Sequence, residues 1–190
     1  MQFDAIGTRW VIETTKPLSA QIQRSIYRRV ELFDRIYSRF RDDSLVELLT
    51  KKPGTYTFPE DSIELVRWYQ LLYVASEGAL TPLVGDVLNN LGYDKTYSFT
   101  VRDVKPVELW EDIMTWHGST VTIRKPVTLD FGAAGKGYLV DIVGSLLEAN
   151  GIVEYVIDAS GDIRQRGQEM QVVGLEHPDD PTRVIGTATL

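Results

Sequence analysis

From Val127 to Asp141 the chain reads VTLDFGAAGKGYLVD, and no other stretch limits the possible folds as tightly. Val127 and Leu129 open it as an apolar strand, and Gly132, Gly135 and Gly137 follow as a glycine-rich turn. Leu139, Ile142, Val143, Leu146 and Leu147 then recur at helical spacing, and Asn150-Gly151 supplies a C-terminal stop. Glycines at a strand–helix junction let the backbone approach a ligand closely. The first N–H groups of the helix carry partial positive charge, which suits a phosphate. Lys136 adds a full charge, and Asp130 and Asp141 bracket it. Two better-known phosphate templates do not fit. A Walker A loop needs glycine at position 130 and Ser or Thr at 137, where this chain has Asp130 and Gly137. The dinucleotide fingerprint orders its glycines differently. A phosphate site and a plain tight connection both remain open from these residues alone.

The 190 residues suit one domain or two small lobes, and 43% hydrophobic content is enough for a core. A net charge of −7 argues against a nucleic-acid or anionic-membrane surface. Cysteine is absent, which excludes disulfides, thiolate metal sites and a lipid-modified N-terminal cysteine. No apolar run is long enough for a signal peptide or a membrane span, so the expectation is a soluble, cytoplasmic chain.

In chain order, residues 1–14 read as a strand, with Gly7-Thr8 as a β-bulge. A long amphipathic helix over 19–40 presents Ile22, Ile26, Val30, Phe33, Ile36, Tyr37 and Phe40 on one face. Residues 54–58 form a short strand. A helix over 61–75 turns Ile63, Val66, Tyr69, Leu72 and Tyr73 inward, and a shorter one covers 83–91. Residues 93–104 have no clear period. A helix is expected over 107–116, and a strand over 120–123 pairing with 127–129. Further strands are expected at 154–157, 170–175 and 183–189, the last reaching the end of the chain, with Asp158 to Asp162 as a turn. Without regular alternation of strand and helix, the fold class is α+β, with mixed sheets and packed helices in one domain over 1–190. His117 and His177 lack ligand-spaced neighbours and read as surface or hydrogen-bonded histidines.

Five segments in order carry a resemblance: Gly7-Thr8, FDRIYSRFRDDS, GALTPLVGDVLNNLGY, LDFGAAGKGYLVD and IDASGDIRQRG. Together they resemble the ApbE family, the FAD:protein FMN transferases. The resemblance implies an ApbE-like fold and a magnesium-dependent enzyme that cuts FAD at its pyrophosphate. FMN would pass to a Thr or Ser of a target protein, and AMP would leave. It implies FAD contacts from Asp130 and Lys136, and a magnesium ligand in the backbone carbonyl of Ala133. Phe40 falls at the family's aromatic position near the flavin nucleotide, and Ala79, Leu80 and Thr81 at a segment that lines FAD through backbone groups. Ile6 stands where the family usually has Met, Thr81 where it usually has Asp, and Ser160 where a glycine is usual.

Relatives of this family continue past the strand matching 183–189 into a Thr-Ser-Gly loop, a His and a magnesium-binding Asp followed by Thr. The 190 residues do not contain that segment, so the expected fold is shortened at its C-terminus. Magnesium prefers carboxylate and substrate oxygens to a lone carbonyl. The alternative functions are therefore an FAD-binding module without transfer chemistry and an FAD pyrophosphatase using water.

Overall fold

The computed structural model describes residues 1–168 and 170–189. In chain order the elements begin with β1 (Gln2–Ala5), β2 (Thr8–Thr14), α1 (Ala20–Tyr37), α2 (Leu45–Leu49), β3 (Gly54–Thr57) and α3 (Ser62–Ala75). A 3-10 turn at Pro82–Val84 leads into α4 (Gly85–Asn90), followed by α5 (Trp110–Ile113), β4 (Met114–His117), β5 (Thr120–Ile123) and α6 (Gly132–Ala149). The chain closes with β6 (Tyr155–Ala159), β7 (Asp162–Arg166), β8 (Val172–His177) and β9 (Asp180–Thr189). Leu190, where the last strand was expected to end, lies outside the described residues. Every strand pairing among the described residues is antiparallel, and the class is α+β. No helix among them is long and apolar enough to cross a membrane. The residues fall into two units, Met1–Ile26 with Val140–Leu190, and Tyr27–Leu139.

The first unit holds the sheet β1-β2-β6-β7. Period-two burial builds it: Trp10 and Ile12 on β2, and Tyr155, Ile157 and Ala159 on β6, turn inward. Ile6 and Gly7 form the β1–β2 connection with φ of 43° and 77°. The expected bulge is thus a two-residue hairpin turn, because two left-handed residues match the twist of the flanking strands. A β-branched residue rarely takes this conformation, so Ile6 is a genuine outlier. Ser160-Gly161 makes the second such turn, at 55° and 99°. There the Gly161 N–H donates to Asp158 Oδ1 at 3.0 Å, and Ser160 Oγ donates to the Arg9 carbonyl at 3.0 Å. The C-terminal part of α6 belongs to this unit and buries Val143 and Leu147, while Ile142 and Leu146 are half-buried. It ends where Asn150-Gly151 predicts: Gly151 has φ 78°, and the Ile152 N–H bonds the Leu147 carbonyl at 3.0 Å. Strands β8 and β9 pair as a separate two-stranded sheet.

The second unit contains the sheet β3-β5-β4. Residues 120–123 do not pair with 127–129 as expected; β5 lies between β3 and β4. Residues 127–130 instead bond outside the sheet, the Val127 N–H to the Leu49 carbonyl (3.2 Å) and the Asp130 N–H to the Pro82 carbonyl (2.8 Å). The helix expected over 107–116 shrinks to α5, because burial from Met114 alternates, with Met114 and Trp116 in and His117 out. On α3 the buried face is Leu65, Val66 and Tyr69, and Ile63, expected inward, is 46% exposed. Helix α1 ends at Tyr37, so Phe40 lies beyond it in a turn. An aromatic core joins these elements, with Tyr37 against Phe33 (4.5 Å between centroids) and Phe131 edge-on to both Tyr37 and Tyr69 (5.4 Å each).

The glycines of the 127–141 motif lie inside α6, which begins at Gly132. Its first amides are satisfied by protein groups. The Gly132 N–H donates to Asp130 Oδ1 at 2.7 Å, the Ala134 N–H to the Tyr69 hydroxyl at 3.3 Å, and the Gly135 N–H to the Phe131 carbonyl at 2.7 Å. Tyr69 is fully buried, and burial raises its hydroxyl pKa well above the usual phenol range.

Tyr69→Phe keeps the ring packing and removes the cap, so it should destabilise the protein by about 1 kcal/mol, read from denaturant midpoints. In the first unit, Glu148 accepts from Tyr155 Oη (2.7 Å) and Arg164 Nη2 (2.8 Å) and pairs with Arg166. The Tyr155 hydrogen bond first, and Arg166 next, lower its carboxyl from 4.5 to about 2. A depressed folded-state pKa stabilises fully above the unfolded value, and that contribution fades as pH falls through 4.5 towards about 2. Glu148→Gln should therefore lower stability at neutral pH and flatten its decline between pH 4.5 and about pH 2 in urea unfolding.

Candidate functional site

Three segments of the second unit meet around one arginine. Arg39 follows α1 by two residues, and its side chain is only 3% exposed. Its Nε donates to Asp130 Oδ2 in an ion pair, and its Nη1 donates to Asn89 Oδ1 at 2.8 Å. The guanidinium also sits over the Phe40 ring at 4.1 Å and the Tyr93 ring at 5.0 Å. Residues 39–40, the end of α4 and the root of α6 are thus held together. Burial without pairing would be expensive for such a charge, so these contacts are what allow it there.

The 79–86 segment is fixed against 127–130. Ser76 Oγ accepts from the Leu80 N–H at 2.8 Å, and Thr81 Oγ1 accepts from the Leu83 N–H at 3.2 Å to cap the 3-10 turn. Gly85 packs so closely on Thr128 that an added Cβ would run into the Thr128 carbonyl. Thr128 Oγ1 donates to Asp86 Oδ1 at 2.6 Å beside that contact. Glycine at 85 is required by this approach.

Phe40, Ala79, Leu80, Thr81, Asp130, Ala133 and Lys136 all belong to the second unit, and Ile6 belongs to the first. Arg39 and the Asp130–Pro82 bond bring Phe40, Asp130 and the 79–82 segment into one network. Thr81 is buried with its hydroxyl used as a cap, whereas Ala79 is exposed and Leu80 half-buried. Gly132 and Lys136 stand one turn apart on α6, with Ala133 exposed between them and Lys136 half-buried. Both Asp130 oxygens are engaged, one by the Gly132 N–H and one by Arg39.

Beyond Phe40 an aromatic cluster continues into a segment without regular structure. Tyr97 stacks on Phe40 with 5.6 Å between centroids and 5° between planes, and Tyr93 meets Phe40 edge-on at 5.5 Å. Asp94 organises this loop by accepting from Thr96, Ser98 and Arg102, and the Ser98 and Thr96 hydroxyls hold its carboxyl well below the usual range. Lys95 ties the loop to Asp42 (2.6 Å) and Glu47 (2.9 Å). Arg39, Asn89, Tyr93 and Tyr97 are the residues that sequence reasoning missed. Spacing gives no signal for them, because their partners lie 50 to 91 positions away for Arg39 alone.

A magnesium ion needs several hard oxygen donors. Ala133 can offer only its carbonyl, and among the described residues no group of three or more His, Cys, Asp or Glu gathers around any point. Asp141 is committed to Arg164, at 2.9 Å, in the first unit. The described residues alone do not fit a magnesium centre. His117 is exposed, and His177 Nδ1 accepts from the Asp179 N–H at 3.1 Å, consistent with surface and hydrogen-bonded histidines.

Comparison with known proteins agrees with this frame. The chain is 26% identical over 163 residues to an FAD:protein FMN transferase of Vibrio cholerae serotype O1, an alignment taking in 78% of this chain and 47% of that protein. It is 25% identical over 152 residues to an FAD:protein FMN transferase of Treponema pallidum, covering 73% of this chain and 42% of the other. The chain spans under half the length of these two relatives. The solved flavin transferase ApbE of Vibrio cholerae has the same fold, with a TM-score of 0.80 at 22% identity, covering 100% of this chain and 66% of that one. Residues 6–190 match the ApbE family over nearly the whole sequence, and the chain belongs to that family.

Proposed function

We propose that this chain supplies the FAD-holding part of an FAD:protein FMN transferase. The observation that carries the reading is the network joining Phe40, the 79–82 segment and Asp130 at the start of α6, in a chain that matches the family over residues 6–190. Lys136, one turn into α6, meets the pyrophosphate as a point charge. Phe40 lies against the flavin nucleotide, and Ala79 and Leu80 line FAD through backbone groups. In the reaction, an acceptor Thr or Ser oxygen attacks the FMN-side phosphorus and gives up its proton. The bond to the AMP phosphate breaks, and AMP leaves with the electron pair. Magnesium supplies charge neutralisation to such a transfer when bound. Ala133 would give it one carbonyl, and no step is assigned to it because the described residues gather no carboxylate set. That same deficit supports a second reading, an FAD-binding module without transfer.

Lys136→Ala should weaken FAD binding by about 1.5–3 kcal/mol, the size of a charge-assisted hydrogen bond, in titrations of flavin fluorescence. Equal affinities would remove Lys136 from the site. The two readings separate when the 190-residue chain is incubated with FAD, magnesium and a Thr-containing acceptor, and the acceptor is weighed by mass spectrometry. Bound FAD with no FMN on the acceptor is the expected outcome, given that the described residues gather no carboxylate set. Efficient magnesium-dependent labelling would show that a carboxylate outside the network completes the metal site.

A further inference from the structure

We propose that Arg39 is a positioning residue whose part is to neutralise Asp130 and fix it at the root of α6, so that an anionic pyrophosphate can lie beside it. This rests on the reading of the second unit as an FAD site.

The charge arithmetic of the motif motivates it. A carboxylate at the root of the helix would repel a phosphate approaching the same helix start, and in a partly desolvated site that repulsion is weakly screened. Asp130 is nonetheless there, and its side chain is 12% exposed. Arg39 resolves the conflict: its Nε pairs with Oδ2, while the Gly132 N–H takes Oδ1. Through Oδ1, Asp130 holds Gly132 at the first position of α6.

The fit of Arg39 is specific to a planar guanidinium. Nε and Nη1 reach two different segments, Asp130 and Asn89, and the flat group lies over the Phe40 and Tyr93 rings. Lysine could keep the charge but not the forked reach. The remaining nitrogen, Nη2, is buried and has no hydrogen-bond partner. Such atoms are rare in folded proteins, and this one marks a side chain placed for charge and geometry and not for full satisfaction.

The consequence is a coupling between two substitutions, read as ligand affinity in variants whose melting is unchanged. In Arg39→Met the Asp130 charge is left uncompensated beside the phosphate site. Adding Asp130→Asn removes that charge, so the second substitution should rescue the first. FAD affinity is measured by flavin fluorescence on the 190-residue chain, with melting curves recorded for every variant. Arg39→Met should weaken FAD by about tenfold or more. The Arg39→Met/Asp130→Asn pair should regain at least about threefold of that loss. Wild-type affinity in Arg39→Met overturns the proposal, and so does a double variant no tighter than Arg39→Met. If Arg39→Met does not fold, Arg39→Lys carries the test. It keeps the neutralising charge without the forked reach, so it should bind FAD more tightly than the neutral Arg39→Gln, and an Arg39→Lys variant no tighter than Arg39→Gln overturns the neutralising role. Wild-type chain that fails to bind FAD at all overturns the functional reading itself, a result seen before any variant is compared.

Discussion

Removing the Arg39 guanidinium from water costs several kcal/mol, and the second unit is arranged to offset that cost. Asp130 and Asn89 supply acceptors, and Phe40 and Tyr93 supply ring faces. These groups come from residues 40, 89–93 and 130, which no local rule would bring together. The ion pair therefore decides where the turn before α6 sits, and with it the direction in which the helix leaves. The Asp130 N–H to the Pro82 carbonyl and Gly85 against Thr128 then leave the 79–86 segment almost no freedom beside that turn.

Helix α6 shows why a motif can be read correctly and still be placed wrongly. The glycines at 132, 135 and 137 suggest a turn, because glycine weakens a helix by roughly 0.5–1 kcal/mol relative to alanine. The helix forms through them all the same. Its first amides are held by Asp130, Tyr69 and Phe131, and Phe131 is anchored between the Tyr37 and Tyr69 rings. Tertiary packing outweighs propensity here. An amide donor already bonded to protein is less available to a phosphate, which moves the weight of anion binding from the helix start to Lys136.

Much of the fold was legible in the sequence because it depends on short-range periodicity. The extent of α3 and the Asn150-Gly151 stop are local, and both appear where expected. Errors arose where a partner is distant. The 107–116 segment has helix-like content, yet Met114 and Trp116 alternate into a sheet completed by β5. Ile6-Gly7 looks like a bulge until β1 folds back on β2 in register, Ala5 opposite Thr8. For the site, the family-like motifs named Phe40, Asp130 and Lys136, but nothing in their spacing named Arg39. An arginine among FDRIYSRFRDDS reads as one more solvated charge, and only the fold shows that it is buried.

Electrostatics gives these placements a common logic. A chain of net charge −7 gains nothing at long range in attracting an anionic nucleotide. Over a Debye length of about 8 Å the overall charge is largely screened, and what remains is set by the nearest groups. At the start of α6 those include one carboxylate, one buried guanidinium and one lysine a turn further on. Arg39 pairs with Asp130 there, so the carboxylate that shapes the turn does not stand uncompensated. An acidic protein can hold an anion at such a place only if the carboxylate that shapes the turn is internally compensated. A guanidinium does that with a planar fork that also reaches Asn89.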